Sequence, residues 1–161
     1  MKPIKTLVQL FKQSIHLPNK KVVFGLNRVT MRDALTYLFV LLFILLLPDG
    51  IDWLSNGQMI GDSQHSVYVL LVITFYPMYV IFSGLIGSSL LAVGGFIFAK
   101  ICKRNLAYQH IWKMSLFALT IPLMLNTILS LLGWEYWLIQ LFLFGFFYII
   151  LVRMVMIYPK K

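Results

Sequence analysis

The apolar positions of this chain come in long unbroken runs separated by short polar segments. The longest, residues 67–99, reads VYVLLVITFYPMYVIFSGLIGSSLLAVGGFIFA and carries no charged side chain. About 20 apolar residues let a helix cross the hydrocarbon core of a bilayer, so this run reads as membrane-spanning. Residues 31–47, 111–132 and 137–152 read the same way. The first of these opens at Thr30-Met31-Arg32-Asp33, where the Thr30 oxygen can take a freed amide and Asp33 can reach back to the cap. Pro48-Asp49-Gly50 is turn chemistry and closes it, with Trp53 just beyond at a boundary position. Gly133-Trp134-Glu135-Tyr136 predicts a tight hairpin between the last two runs.

Residues 3–16 are too polar to span. Ile4, Leu7, Val8, Phe11 and Ile15 share one helical face, and Lys5, Gln9, Lys12 and Gln13 take the other. A basic amphipathic helix of this kind lies in the headgroup plane, or alternatively packs against the ends of the spans. Pro18-Asn19 ends it, and residues 20–28 read as a basic connector. The predicted architecture is all-α: a four-span transmembrane bundle (residues 30–161) preceded by an amphipathic interfacial helix and connector (residues 1–29).

Composition agrees. Of 161 residues, 60% are hydrophobic and only 12% charged, with a mean hydropathy of +0.86, well away from soluble norms. The net charge of +9 argues against nucleic acid, because the basic residues flank apolar runs instead of forming a face with interleaved aromatics. The single Cys102 excludes an internal disulfide framework and makes no metal site by itself.

Charge placement decides how residues 67–99 cross. Every Lys and Arg lies before residue 33, at 100–104, at Lys113, or in the tail from Arg153, and four of the five acids lie in the intervening turns. One crossing puts all basic segments on one side, whereas a re-entering hairpin divides them. The positive-inside bias selects one crossing, four spans, and both termini cytoplasmic in a plasma membrane. Those 33 residues make a helix of about 50 Å against a core near 30 Å. Tilt, a kink at Pro77, a break at Gly94-Gly95 or partial re-entry would absorb the excess.

Candidate functional residues are sparse. Gly84, Ser88 and Ala92 recur every fourth position, with Gly87 and Gly95 on a neighbouring row, a spacing that lets helices approach closely within the chain or in an oligomer. Asn126 and Gln140 each lie seven residues from Gly133, which puts them at matching depth in an antiparallel hairpin, with Tyr76 entering from the same side. Such a layer is a structural amide pair or a solute-binding level. Asp49, Asp52, Asp62 and His65 have ligand chemistry but no tight metal spacing, and His110, Lys113 and Cys102 lack catalytic partners. The sequence thus predicts no enzyme, no cofactor and no metal. It predicts a membrane protein that binds another membrane protein or itself, with a small-solute or ion transporter component as the alternative.

Two stretches, FKQSIHLPNKKVVFGLNRVTMRDALTYLFVLL and NLAYQHIWKMSLFALTIPLML, the latter with Ala118, Thr120 and Pro122 at its core, resemble a bacterial family known as domain of unknown function 1189, Yip-like in shape. That family commonly carries a large extracytoplasmic insert between its first two spans, and here only residues 48–66 stand in that place. The resemblance implies a bacterial cytoplasmic-membrane protein without established catalysis, and the Yip-like analogy implies a partner-binding role.

Overall fold

Hydrocarbon offers no partner for a peptide group, so apolar runs close their own hydrogen bonds as helix. The computed structural model describes residues 3–56, 62–134 and 136–159, and every regular element among them is helical. In order these are α1 (Pro3–Ile15), α2 (Lys20–Asn27), α3 (Met31–Leu45), α4 (Leu47–Asn56), α5 (Asp62–Ile101), α6 (Tyr108–Ala118), α7 (Thr120–Leu131) and α8 (Trp137–Met156). The side chains of Ile4, Lys5, Trp53, Asp62 and His65, and all of Glu135, lie outside the described residues, and with them the expectations placed on those groups. Among the described residues three helices are long and apolar enough to cross a membrane: Val67–Ile101, the α6–α7 pair as Tyr108–Leu131, and Trp137–Met156.

The run at 67–99 is one continuous helix that passes through Pro77 and extends beyond both predicted ends, 40 residues in all. At 1.5 Å per residue it is about 60 Å long. The run at 111–132 is divided at Leu119. Pro122 has no amide to return to the Ala118 carbonyl, which loosens the helix there, while Leu123 N still donates to Leu119 O at 3.0 Å. The hairpin turn at Gly133 forms as expected. Gly133 has φ +74°, its N–H donates to Ser130 O at 2.8 Å, and Trp134 N–H donates to Leu129 O at 3.0 Å. That pair of bonds is the Schellman closure, which glycine enters without a Cβ penalty. Lys103 takes the same left-handed geometry after α5, with φ +52° and Arg104 N–H donating to Ala99 O at 2.9 Å.

Two segments read as irregular are helical. The run at 31–47 stops at Leu45, and α4 begins where a closing turn was expected. Pro48 cannot bond back to Ile44, which ends α3, yet proline and an acid both suit a helix's first turn. Thr30 caps α3 as predicted, accepting from Asp33 N–H at 3.2 Å. The connector at 20–28 is mostly α2, started by Asn19 accepting from Lys21 N–H at 3.2 Å and held by buried Val23 and Leu26.

The small-residue row of α5 faces inward. Ser88, Ala92, Gly95 and Ala99 are buried, and a Cβ on Gly84 would collide with Leu42 of α3. At Gly95 a Cβ would come within 2.6 Å of Leu151 on α8 and 3.1 Å of Ile111 on α6, so three helices meet there. Gly87 points into open space. The opposite face, from Tyr79 through Phe82, Ile86, Leu90 and Val93 to Ile97, is exposed.

Helix α1 packs against α2, α3 and α7. The buried face is rotated from the one predicted: Leu10, Ser14 and Leu17 are inside, whereas Val8 and Ile15 are exposed. The Ser14 hydroxyl donates to Leu10 O at 2.8 Å and pairs with the Tyr37 hydroxyl, which also meets Thr120 Oγ1 at 2.8 Å. One polar knot therefore joins α1, α3 and α7. Lys113 secures α2. Its ammonium donates to Asn27 O at 2.6 Å and Val29 O at 3.1 Å, where the last carbonyls of a helix lack partners. Asn27 Nδ2 in turn donates to the Tyr158 hydroxyl at 2.7 Å, and Arg104 donates to the Tyr158 carbonyl. Burial pushes the Tyr158 phenol above its ordinary value, so it stays neutral and the link to Asn27 holds across physiological pH.

Two variants test this packing. Gly95→Leu should lower stability by about 1–3 kcal/mol through overpacking, while Gly87→Leu leaves the thermal unfolding of the detergent-solubilised chain nearly unchanged. Equal losses at both positions would remove the distinction between the packed glycine and the open one. Lys113→Met keeps the aliphatic stem but removes charged bonds worth about 1.5–3 kcal/mol. Amide exchange in α2 should then quicken more than tenfold while α8 is unaffected.

Candidate functional site

The least regular part of the bundle is where α3 gives way to α4. Ending a helix exposes carbonyls, and here side chains from two neighbours reach them. The Tyr76 hydroxyl of α5 donates to Leu46 O. Thr127 Oγ1 of α7 lies 3.2 Å from Leu45 O and 3.1 Å from Leu123 O. Gly50 allows the Tyr76 ring to lie against α4, since a Cβ there would sit 2.8 Å from Tyr76 Cε1.

Between this junction and the α7–α8 turn is a cleft of about 180 Å³, lined on its polar side by Asp49, Asn126, Thr127, Ser130, Trp134 and Gln140. Asn126 and Gln140 stand on facing helices and also border a second cleft of about 180 Å³, otherwise apolar, between α5, α7 and α8. Both amides are exposed, and neither side chain has a hydrogen bond among the described residues. The polar pair forms the boundary between a polar cleft toward the turn and an apolar one toward the middle of the bundle.

Tyr76 is elsewhere. It lines a separate apolar cleft of about 250 Å³ between α4 and α5, with Val72 and Pro77, and its hydroxyl is engaged by Leu46. The structure therefore brings Asn126 and Gln140 together and leaves Tyr76 on the other side of the α3–α4 junction. Asp49, Ser130 and Trp134 are the site residues that sequence reasoning did not join to the amides. The sequence reading puts Asp49 in a closing turn, Ser130 within the span at 111–132 and Trp134 in the hairpin turn. A proline followed by an acid at the end of an apolar run was the available signal, because it reads equally as the first turn of a new helix.

Chemically, the cleft offers one carboxylate, two carboxamides, two hydroxyls and an indole. Among the described residues no histidine, cysteine or lysine lines it. Among the described residues no group of three or more His, Cys, Asp or Glu could hold a metal. The arrangement is suited to binding a polar group by hydrogen bonds and charge.

Comparison with known proteins is consistent with the second of the two resembling stretches. No curated protein and no solved structure matched the chain. The family model described as "Protein of unknown function (DUF1189)" matches residues 56–159, which contain NLAYQHIWKMSLFALTIPLML and most of the bundle. The chain belongs to the DUF1189 family.

Proposed function

We propose that this chain is a non-enzymatic, multi-pass membrane protein that binds another membrane protein, or a second copy of itself, through the face where Asn126 and Gln140 lie. The carrying observation is that pair: two exposed carboxamides on facing helices, without side-chain hydrogen bonds among the described residues. Gln140 is three residues into α8 and Asn126 five residues before the end of α7, so both sit about 5–8 Å inside the apolar spans. An amide facing lipid at that depth gains from a partner helix that hydrogen-bonds it, by about 0.6–2 kcal/mol.

In this reading α3 is a fourth, short crossing. Its 15 residues come to about 22 Å, and α4 continues beyond them. The positive-inside bias then sets both termini on the cytoplasmic side of a plasma membrane, with Lys100, Lys103, Arg104 and Arg153 at one end of the bundle. The exposed Val8, Lys12 and Ile15 of α1 lie at the headgroup level of that side. The inward-facing small residues of α5 make association through that row an intrachain matter and leave the partner face to α7 and α8.

The polar cleft favours a second reading, a small-solute transporter component whose path begins at the same amides. One pair of experiments separates the two. With Cys102→Ser as background, Asn126→Cys should crosslink in native membranes to a discrete partner or to itself. A chain that stays monomeric at native expression contradicts partner binding. In proteoliposomes, replacing both amides with leucine should abolish any solute uptake, and unchanged uptake contradicts the transport reading.

A further inference from the structure

We propose that the outward faces of α1 and α2 form a docking surface for anionic phospholipid headgroups. Helix α2 has two distinct sides. Val23 and Leu26 are buried against the bundle, while Lys20, Lys21, Phe24 and Arg28 are exposed. At about 3.6 residues per turn those four share one side of the helix. On α1, Val8, Lys12 and Ile15 point outward, opposite buried Leu10, Ser14 and Leu17. Both outward faces therefore mix cations with apolar side chains.

The chain does not neutralise these cations itself. Lys12, Lys20, Lys21 and Arg28 form no ion pair among the described residues. The first acid of the chain, Asp33, lies 3.9 Å from Arg32, and the next acid in sequence is Asp49. The surface is also held in place before anything binds. Lys113 clamps the end of α2, and the Ser14, Tyr37 and Thr120 hydroxyls fix α1. Docking therefore requires little further ordering of the chain.

Depth identifies the occupant. Lys113, which takes Asn27 O and Val29 O, is five residues into the apolar Tyr108–Leu131 helix. That is about 8 Å along the span, so α2 closes at the level of a headgroup layer. Ser14 pairs with Tyr37, six residues beyond the start of α3 and about 9 Å along it. Helix α1 thus lies where headgroups meet acyl chains. Val8 and Ile15 gain hydrocarbon there, and Lys12 reaches the phosphates along its stem. A free phosphate, a polynucleotide or an acidic protein would pair with the cations but leave Val8 and Ile15 in water. A zwitterionic headgroup would bring a second cation to a surface already positive. This placement rests on the reading of α3 as a crossing and is independent of the partner face on α7 and α8.

The test uses the full chain in phosphatidylcholine vesicles with trace spin-labelled phosphatidylglycerol or phosphatidylcholine, read by electron spin resonance. The chain should hold phosphatidylglycerol at least about fivefold more strongly, the gain expected from one cation near an anionic headgroup. The combination K12Q, K20Q, K21Q and R28Q should remove most of that preference. The charge-conserving combination K12R, K20R, K21R and R28K should keep it, which separates loss of charge from a folding defect. Lys100→Gln with Lys103→Gln, on α5 and just after it, should leave most of the preference. The proposal is overturned if both lipids are held equally, if the glutamine combination keeps the preference, or if the Lys100 and Lys103 pair removes it as fully. Inorganic phosphate or an oligonucleotide that abolishes the preference at matched ionic strength also overturns it, by assigning the surface to that anion. A nitroxide at Ile15→Cys, with Cys102→Ser as background, should be shielded from an aqueous quencher, and full exposure overturns the placement of α1. An intact lipid preference without crosslinking through Asn126→Cys supports the proposal and counts against the partner reading alone.

Discussion

The bundle depends on how closely its other helices can approach α5. Where Gly95 meets Leu151 and Ile111, the missing side chain lets α8 and α6 rest against the α5 backbone. Association between helices in lipid has little hydrophobic drive, so dispersion across such close contacts supplies much of it. The neighbouring row admits Leu42 beside Gly84, and Tyr148 lies against Gly94. A larger side chain at Gly95 would push apart two helices at once.

Much of this framework was legible from residue pattern because single helices determine their own boundaries. The uncharged run at 67–99 reads as membrane-spanning, with a kink, a break or re-entry left open, and the structure makes it one helix that continues through Pro77. Thr30 and Gly133 act through local backbone geometry, which sequence encodes directly. The misread segments are those where one residue type serves two local structures. Pro48 and Asp49 terminate one helix and start the next, and the basic connector hides a short helix fixed by Val23 and Leu26. In α1 the apolar face has Leu10 at one edge and Val8 and Ile15 at the other, and periodicity alone could not reveal which edge turns inward.

The site shows the same division. Asn126 and Gln140 were paired by counting from Gly133, since a hairpin relates its two arms by symmetry. Asp49 was out of reach of that count because it comes from a different pair of helices and is placed by the α3–α4 junction. Tyr76 was expected in the layer on depth alone, but depth does not specify direction around a helix, and Leu46 O draws its hydroxyl to the other side.

The chain is thus polar along its length. One end gathers cations, with Lys113 holding the close of α2, and the other gathers the carboxylate, the amides and Trp134. The central proposal is that this second end lies on the outer side of the membrane. With Cys102→Ser as background, Ser130→Cys reports on it through a membrane-impermeant maleimide. The account predicts labelling in intact cells. Labelling only after the cytoplasmic side is opened, or from neither side, would contradict it.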